Sequence, residues 1–488
     1  MDVKEIGNMG KELAKFLSEF DDCFGRSEPR QHLRTYVGGQ LSNLRRKSIE
    51  PIALDTGVPP RTLQRFLASV QWDEDRMVDR TQWIVARDHP HRQAIGVVDE
   101  TGNPKKGIHT ACVQRQWCGN TGKVDNCVVS VHIAYTAGDF HCLLDSDLYL
   151  PQAWADDPAR REAAGIPAEA VYRKKTDIAL GQIGRALGNG IRVAAWTFDE
   201  GYGRDGEFLD GLDTSGQSYI GEVPSTFVGW SQPPQVLQRP RPQEAHKRGR
   251  KRRYPRLARK ALPASEVRNL AIYSPKFHKQ KWRRFKIKDG ENGPVVWEVK
   301  HVPFYRKHGP TGLPGATHTL IVARNVLDHD EIKYFVSNMV PGANGVSLQW
   351  MLWVAFSRWS VERCFELAKR DMGMDHFETR SWPAIHRHFY ISQLSLLFCS
   401  RVHQRLREKN DRQSVPDRRA SSPRRGHLDR NARSAAVGPN EMLPTDGSTD
   451  RVPPRTEPMC SHLPYTNKSP TTPKPGNQRR PVELLHTR

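Results

Sequence analysis

Acidic residues at three distant points of the chain have the types and settings to do chemistry. Asp99 ends the apolar run QAIGVVD and Asp199 follows the apolar run RVAAWTF, so each acid closes a strand that the pattern places centrally. Parallel neighbours of this kind bring the acids at their carboxyl ends to one shared ligand site. Carboxylate oxygens are hard ligands. Several of them, drawn from separate parts of a chain, suit a pair of divalent metal ions spaced ~3.5–4 Å apart, the arrangement used to cut phosphodiesters. An Asp that ends a strand is also a common turn residue, so position alone leaves both roles open. A third acid comes from the segment RWSVERCFELAKRDMGM. There Val361, Phe365, Ala368 and Met372 form an apolar stripe at helical spacing, beside a charged stripe of Arg358, Glu362, Glu366 and Lys369. The charged stripe reads either as a surface ladder of ion pairs or as the bearer of a third ligand. Glu100, Glu200 and Glu366 lie close enough in sequence to support these acids or to stand in for one of them.

The elements that must position these residues follow from the pattern. Residues 1–90 read as a helical DNA-binding domain in which IEPIALDTGVPPRTLQRFLASV resembles a helix-turn-helix. A short helix ends near Asp55, Thr56-Gly57 makes the turn, and a second helix opens at Pro59-Pro60 on the apolar residues Leu63, Phe66 and Leu67. Arg61, Gln64 and Arg65 then face outward, either as groove-contacting residues or as the solvated face of an ordinary helical hairpin. Residues 91–214 change to strands: QAIGVVD, TACVQRQW, NCVVSVHIAYT and FHCLLDSDLYL, with a turn at Gly119-Asn120-Thr121-Gly122. The helix TDIALGQIGRALGNG and the strand RVAAWTF follow. This order, with one Asp on the first strand and another after the strand that follows the helix, is that of an α/β, ribonuclease-H-like mixed sheet with flanking helices. Residues 215–345 interrupt it with a β-rich insertion that carries the basic run HKRGRKRR, a solvated loop or a phosphate contact. Helices return over 346–407, from Leu348 to about Gly373 and from Ala384 to Arg407, and residues 408–488 have the composition of a disordered basic tail.

Composition narrows the function. The 488 residues hold 75 Lys and Arg against 54 Asp and Glu, a net charge of +21 that favours a polyanionic partner through counterion release. A mean hydropathy of -0.68 leaves no run long enough to span a membrane, and no export signal is evident, so a cytoplasmic protein without a membrane partner is expected. The 8 cysteines include no CxxC pair. A zinc site from Cys112, Cys118 and Cys127 with His109 or His132 fits no standard finger spacing, and reduced buried thiols are the expectation.

Longer motifs add a resemblance. Arg358, Glu362 and Lys369 match the Arg-Glu-Lys part of the Tyr-Arg-Glu-Lys signature of IS-four-like DDE transposases, with Ala355 where the Tyr is expected and Phe356 beside it. VVDETGNPKKGIHTACVQRQWCGNTGKVDNC, DDPARREAAGIP, FDEGYG and DHFETRSWPAIHRH resemble the IS-seven-hundred-one-like transposases, over roughly residues 20–405. The resemblance implies an insertion-sequence transposase in which Asp99, Asp199 and Glu362 are catalytic and hold Mg2+ or Mn2+, with Arg358 and Lys369 on DNA phosphates. It also implies a β-rich insertion between the second Asp and the Glu, and cleavage and strand transfer on DNA by a homodimer. Lys105 and Lys106 are expected either to steady phosphates or to form a solvated turn. Related enzymes stack aromatic residues of the insertion on a flipped base, and Trp282 and Trp297 lie there, although a tryptophan in such a subdomain is more often core. A second reading, a transposase-derived DNA-binding protein or repressor without activity, is motivated by the atypical tail. A glycosidase built on paired carboxylates has no use for the basic surplus.

Overall fold

The computed structural model describes residues 3–238, 254–290 and 293–414; the basic run from His246 to Arg253, and the tail beyond Ser414, lie outside them. The chain opens with helices α1 (Val3–Ser18), α2 (Ser27–Leu41), α3 (Ile49–Asp55), α4 (Pro60–Ala68) and α5 (Glu74–Asp88). Gly57, at φ +68°, takes the left-handed turn between α3 and α4 that a side chain would resist. Pro60 opens α4, whose Leu63, Phe66 and Leu67 are buried while Arg61, Gln64 and Arg65 stand exposed. The Asp73 carboxylate caps α5 by accepting from the Arg76 N–H at 2.8 Å.

A five-stranded sheet follows: β1 (Ile95–Pro104), β2 (Gln114–Cys118), β3 (Lys123–Ala137), β4 (Phe140–Leu148) and, after helices α6 (Gln152–Ala155), α7 (Pro158–Ala164) and α8 (Lys175–Gly188), β5 (Ala195–Phe198). β3 runs antiparallel to β1, β2 and β4, and β5 runs parallel to β1 from Ile95↔Ala195 to Val98↔Phe198. Two expectations need correction. β1 does not end at Asp99 but continues to Pro104, because its pairing with β3 persists after β5 has stopped. β2 starts at Gln114 rather than near Thr110, because Cys112 adopts φ +66° and breaks the extended run.

Helices α9 (Glu200–Gly203) and α10 (Gly206–Thr214) lead into strands β6 (Ile220–Val223), β7 (Val228–Trp230), β8 (Val236–Leu237), β9 (Arg256–Leu257) and β10 (Ser265–Glu266). After α11 (Val267–Tyr273) and α12 (Pro275–His278) come β11 (Arg283–Gly290), β12 (Gly293–Lys307), β13 (Pro314–Asn325) and β14 (Ile332–Ser337). Seven of these strands form a second sheet in which β11, β12, β13, β14 and β6 pair antiparallel in turn. The parallel bridge Trp196↔Tyr219 joins it to the first sheet.

The chain closes with α13 (Leu348–Phe356), α14 (Trp359–Arg370) and α15 (Trp382–Ser414). One continuous helix was expected from Leu348 to Gly373. It is broken at Ser357, whose hydroxyl donates to the Trp353 carbonyl at 2.6 Å, a back-bond that bends helices. α15 extends past the expected end at Arg407, its polar continuation being compatible with helix. Its first half is buried on nearly every side, from Ala384 through Phe398, between the first sheet and the N-terminal helices. Phe16, Phe20, Tyr36 and Phe66 of that N-terminal region belong to the same apolar cluster as Val131 and Ile133 of β3 and Ile391 and Leu394 of α15.

Gly96 makes the close approach of β1 to β5 possible, since an added Cβ would lie 2.2 Å from the Trp196 ring. Gly96→Ala is therefore expected to destabilise the protein by ~1–3 kcal/mol, read from the midpoint of urea unfolding. An unchanged midpoint would show that this contact has room to spare.

Candidate active site

Asp99 sits where β1 has lost β5 but keeps β3, in register with His132. It is only 7% exposed. One carboxylate oxygen accepts the Glu100 N–H at 2.8 Å, and the other accepts the Arg358 guanidinium at 2.9 Å. Burial raises its pKa to about 7; Arg358 opposes that rise, and Asp199 and Glu100 add to it. Asp199 follows β5 directly and caps α9, accepting from the N–H groups of Gly201 and Tyr202 at 2.9 and 3.3 Å.

Glu362 lies in the first turn of α14, with its side chain 59% exposed and its Oε1 3.1 Å from Arg358. One guanidinium thus joins Asp99 to Glu362. Burial works against the Arg358 charge, yet Asp99, Glu362, Asp199 and Glu222 together hold its pKa above the ordinary value. Among the described residues no hydrogen bond or ion pair joins Asp199 to Arg358, but its charge acts on both Arg358 and Asp99.

α14 is fixed in place by its apolar stripe: Val361, Phe365, Ala368 and Met372 are all buried. Phe365 meets the His132 ring edge-on at a centroid distance of 5.0 Å. His132 is held neutral, its pKa lowered by burial to about 3. Further along, Lys369 Nζ donates to the Thr101 hydroxyl at 2.6 Å, and burial lowers the lysine pKa. Thr101 is not among the residues expected at the site from the sequence, although strand alternation places it on the same face of β1 as Asp99.

The neighbouring acids are occupied elsewhere. Glu366 pairs with Arg370 at 2.9 Å, Glu100 with Lys175 at 2.6 Å, and Glu200 with Arg204 at 3.9 Å. Lys105 is turned toward the protein: it donates to the Phe377 carbonyl at 2.8 Å and lies over the Phe377 ring, and burial lowers its pKa to about 8. Lys106 is exposed, and so are Arg61, Gln64 and Arg65 on α4. Trp297 is core, packed on Phe356 at 4.9 Å, while Trp282 is flanked by Lys300 and Arg324.

Asp99 and Glu362 at one guanidinium, with Asp199 acting on it through its charge, are hard-oxygen donors of the kind a divalent ion takes. Among the described residues, however, no three His, Cys, Asp or Glu side chains stand close enough to form a ready-made cage, and that includes Cys112, Cys118 and Cys127 with either histidine. A guanidinium stands between Asp99 and Glu362 instead. The buried Tyr202 hydroxyl has no hydrogen-bond partner among the described residues and lies in the field of Glu100, Asp99 and Asp199.

Residues 19–294 match the family described as DDE superfamily endonuclease, a span that includes Asp99 and Asp199 and ends before Glu362. The chain is 30% identical over 202 residues to a probable transposase for insertion sequence element IS701 from Microchaete diplosiphon, covering 41% of this chain and 50% of that protein. It therefore spans about half the length of this curated relative. The solved synaptic complex of the piggyBac transposase with hairpin DNA superposes with a TM-score of 0.39 at 9% identity, over 82% of this chain and 72% of that one.

The raised pKa of Asp99 has a consequence for stability. With a folded value of about 7 against 3.8 in the unfolded chain, its stabilising contribution is fully present below about pH 4 and is lost as pH rises through 7. In the metal-free protein, Asp99→Asn should escape that loss. Its stability relative to wild type should rise by roughly 1–4 kcal/mol between pH 4 and 8 in urea unfolding with a chelator present. Parallel pH curves for the two proteins would contradict this account of Asp99.

Proposed function

Because the chain belongs to the DDE superfamily of endonucleases, we propose that it is an insertion-sequence transposase that cleaves and rejoins DNA through Asp99, Asp199 and Glu362. The observation that carries this reading is the single guanidinium of Arg358, which binds Asp99 and Glu362 directly and feels Asp199. The strand order, with Asp99 and Asp199 each following the last pair of the parallel ladder, Val98↔Phe198, supports a ribonuclease-H-like core for residues 91–214 and 346–407, with a β-rich insertion between.

Asp99, Asp199 and Glu362 would hold Mg2+ or Mn2+, which supplies Lewis-acid activation of an attacking hydroxyl and charge stabilisation of the leaving oxygen. The chain's own groups do the rest. Asp99 would have to be ionised to serve as a ligand, and in the metal-free protein burial raises its pKa to about 7. Arg358 balances the acids, and Arg358 and Lys369, which now meet Asp99 and Thr101, would meet phosphate oxygens of a bound strand. The exposed face of α4, with Arg61, Gln64 and Arg65, would sit in the major groove as the helical domain of residues 1–90 engages an element end. Of the two lysines after Asp99, Lys106 is the one free to reach a backbone phosphate, since Lys105 is bound to Phe377. Two ends must be brought together for strand transfer, so a homodimer on DNA is the expected assembly.

The direct test is Mg2+-dependent nicking of DNA that carries the element ends. Asp99→Ala, Asp199→Ala and Glu362→Ala are each expected to lower the rate by about 10³-fold or more, with DNA binding within about twofold of wild type. An intact chain that binds these ends yet never nicks them would favour a repressor instead. In a separate titration, Arg61→Ala and Arg65→Ala should each weaken DNA binding and reduce the slope of log K against log salt by about 1. Slopes identical to wild type would remove α4 from the interface.

A further inference from the structure

Lys47 lies in the link between α2 and α3, and its side chain is only 7% exposed. Among the described residues no carboxylate forms an ion pair with its ammonium group, although the Asp371 carboxylate acts on it through its charge. Nζ instead donates to the Gln40 carbonyl at 2.6 Å and to the Asp371 carbonyl, the residue that caps the C-terminus of α14. Its backbone N–H donates to His376 Nδ1 at 3.0 Å. Burying a cation against neutral acceptors is costly, and burial accordingly lowers the Lys47 pKa. The C-terminus of a helix, with its unpaired carbonyls and negative dipole end, is where a cation repays part of that cost.

The surroundings leave little freedom. Gly373, at φ +69°, passes so close that an added Cβ would lie 2.6 Å from the Lys47 Cβ. The Gly373 carbonyl meets His388 Nε2 at 3.0 Å, and His388 Nδ1 is in turn 2.9 Å from the Tyr36 hydroxyl of α2. Gln40, whose carbonyl takes the Lys47 ammonium, exchanges side-chain hydrogen bonds with Ser392 and Ser395 of α15 at 2.8 Å each. A continuous polar path therefore runs from α2 and the entrance of α3 to the last turn of the helix whose first turn carries Glu362.

We propose that Lys47 is a positioning residue, a strut by which the N-terminal helices set the place of α14 and so hold Glu362 in register with Asp99. The inference rests on the reading of Glu362 as part of the cleavage site. α14 is tied to the sheet by Arg358 at one end and Lys369 toward the other, and both ties come from its own side chains. Lys47 is a tie to the end of α14 that comes from the link leading into α3 and α4, so any shift of those helices on DNA would be passed to α14 through it.

The test uses the full chain with Lys47→Met, which keeps the length of the side chain but not its donors, and Lys47→Arg, which keeps a donor. Hydrogen exchange of the peptide spanning residues 359–371 is compared with that of α8 as an internal reference. Lys47→Met is expected to speed exchange in the last turn of α14 by about tenfold while α8 is unchanged, and Lys47→Arg to restore most of the protection. In Mg2+-dependent plasmid nicking, Lys47→Met should lower kcat by about tenfold with the half-saturating DNA concentration within about twofold, and Lys47→Arg should recover the rate. Unchanged exchange in α14, or exchange that rises equally in α8, overturns the strut; so does a normal kcat despite a loosened α14. A wild-type chain that does not nick defeats the cleavage reading alone, and the exchange comparison then decides whether the strut exists.

Discussion

A buried carboxylate needs a cation, and the arrangement of this chain around Asp99 follows from that need. Taking Asp99 out of water on a central strand costs several kcal/mol unless the charge is neutralised or paired. Arg358 supplies the pairing from a helix more than half the chain away, and in doing so draws Glu362 to the same point. The guanidinium suits the task because its planar fork can serve two carboxylates at once and it stays charged even when buried. The apolar face of α14 and the hydrogen bond from Lys369 to Thr101 then prevent the helix from rolling out of that register.

Much of the first and second levels of organisation is legible in the sequence because each rests on local rules. Asp99 and Asp199 are marked by the β-branched and aromatic runs before them, and α4 by its paired prolines and its apolar spacing. What escapes is set by partners distant in sequence. Thr-Gly-Asn-Pro is a poor strand sequence, yet β1 continues through it because β3 supplies the ladder opposite. The left-handed Cys112 and the back-bond of Ser357 leave no periodic trace, so the start of β2 and the break before Arg358 were not visible.

Of the site, residue types were legible and their commitments were not. Glu366 lies on the same helical stripe as Glu362; in the structure Glu362 meets Arg358, while Arg370, one turn on, takes Glu366 outward. Lys105 and Lys106 look equivalent in sequence, but the Phe377 ring and carbonyl hold the first of them. Lys47 carried no signal at all, since a lone lysine before a helix is ordinarily a solvated residue.

The N-terminal helices and the β3 face share one apolar cluster, with α15 threaded between them. Such a chain has no seam along which its halves could be traded. Recombination that brought in another relative's N-terminal part would also have to bring matching changes along α15, whereas drift on the outward face of α4 carries no such burden. Diversification in a lineage built this way is expected to proceed by point substitution at the surface rather than by shuffling of modules.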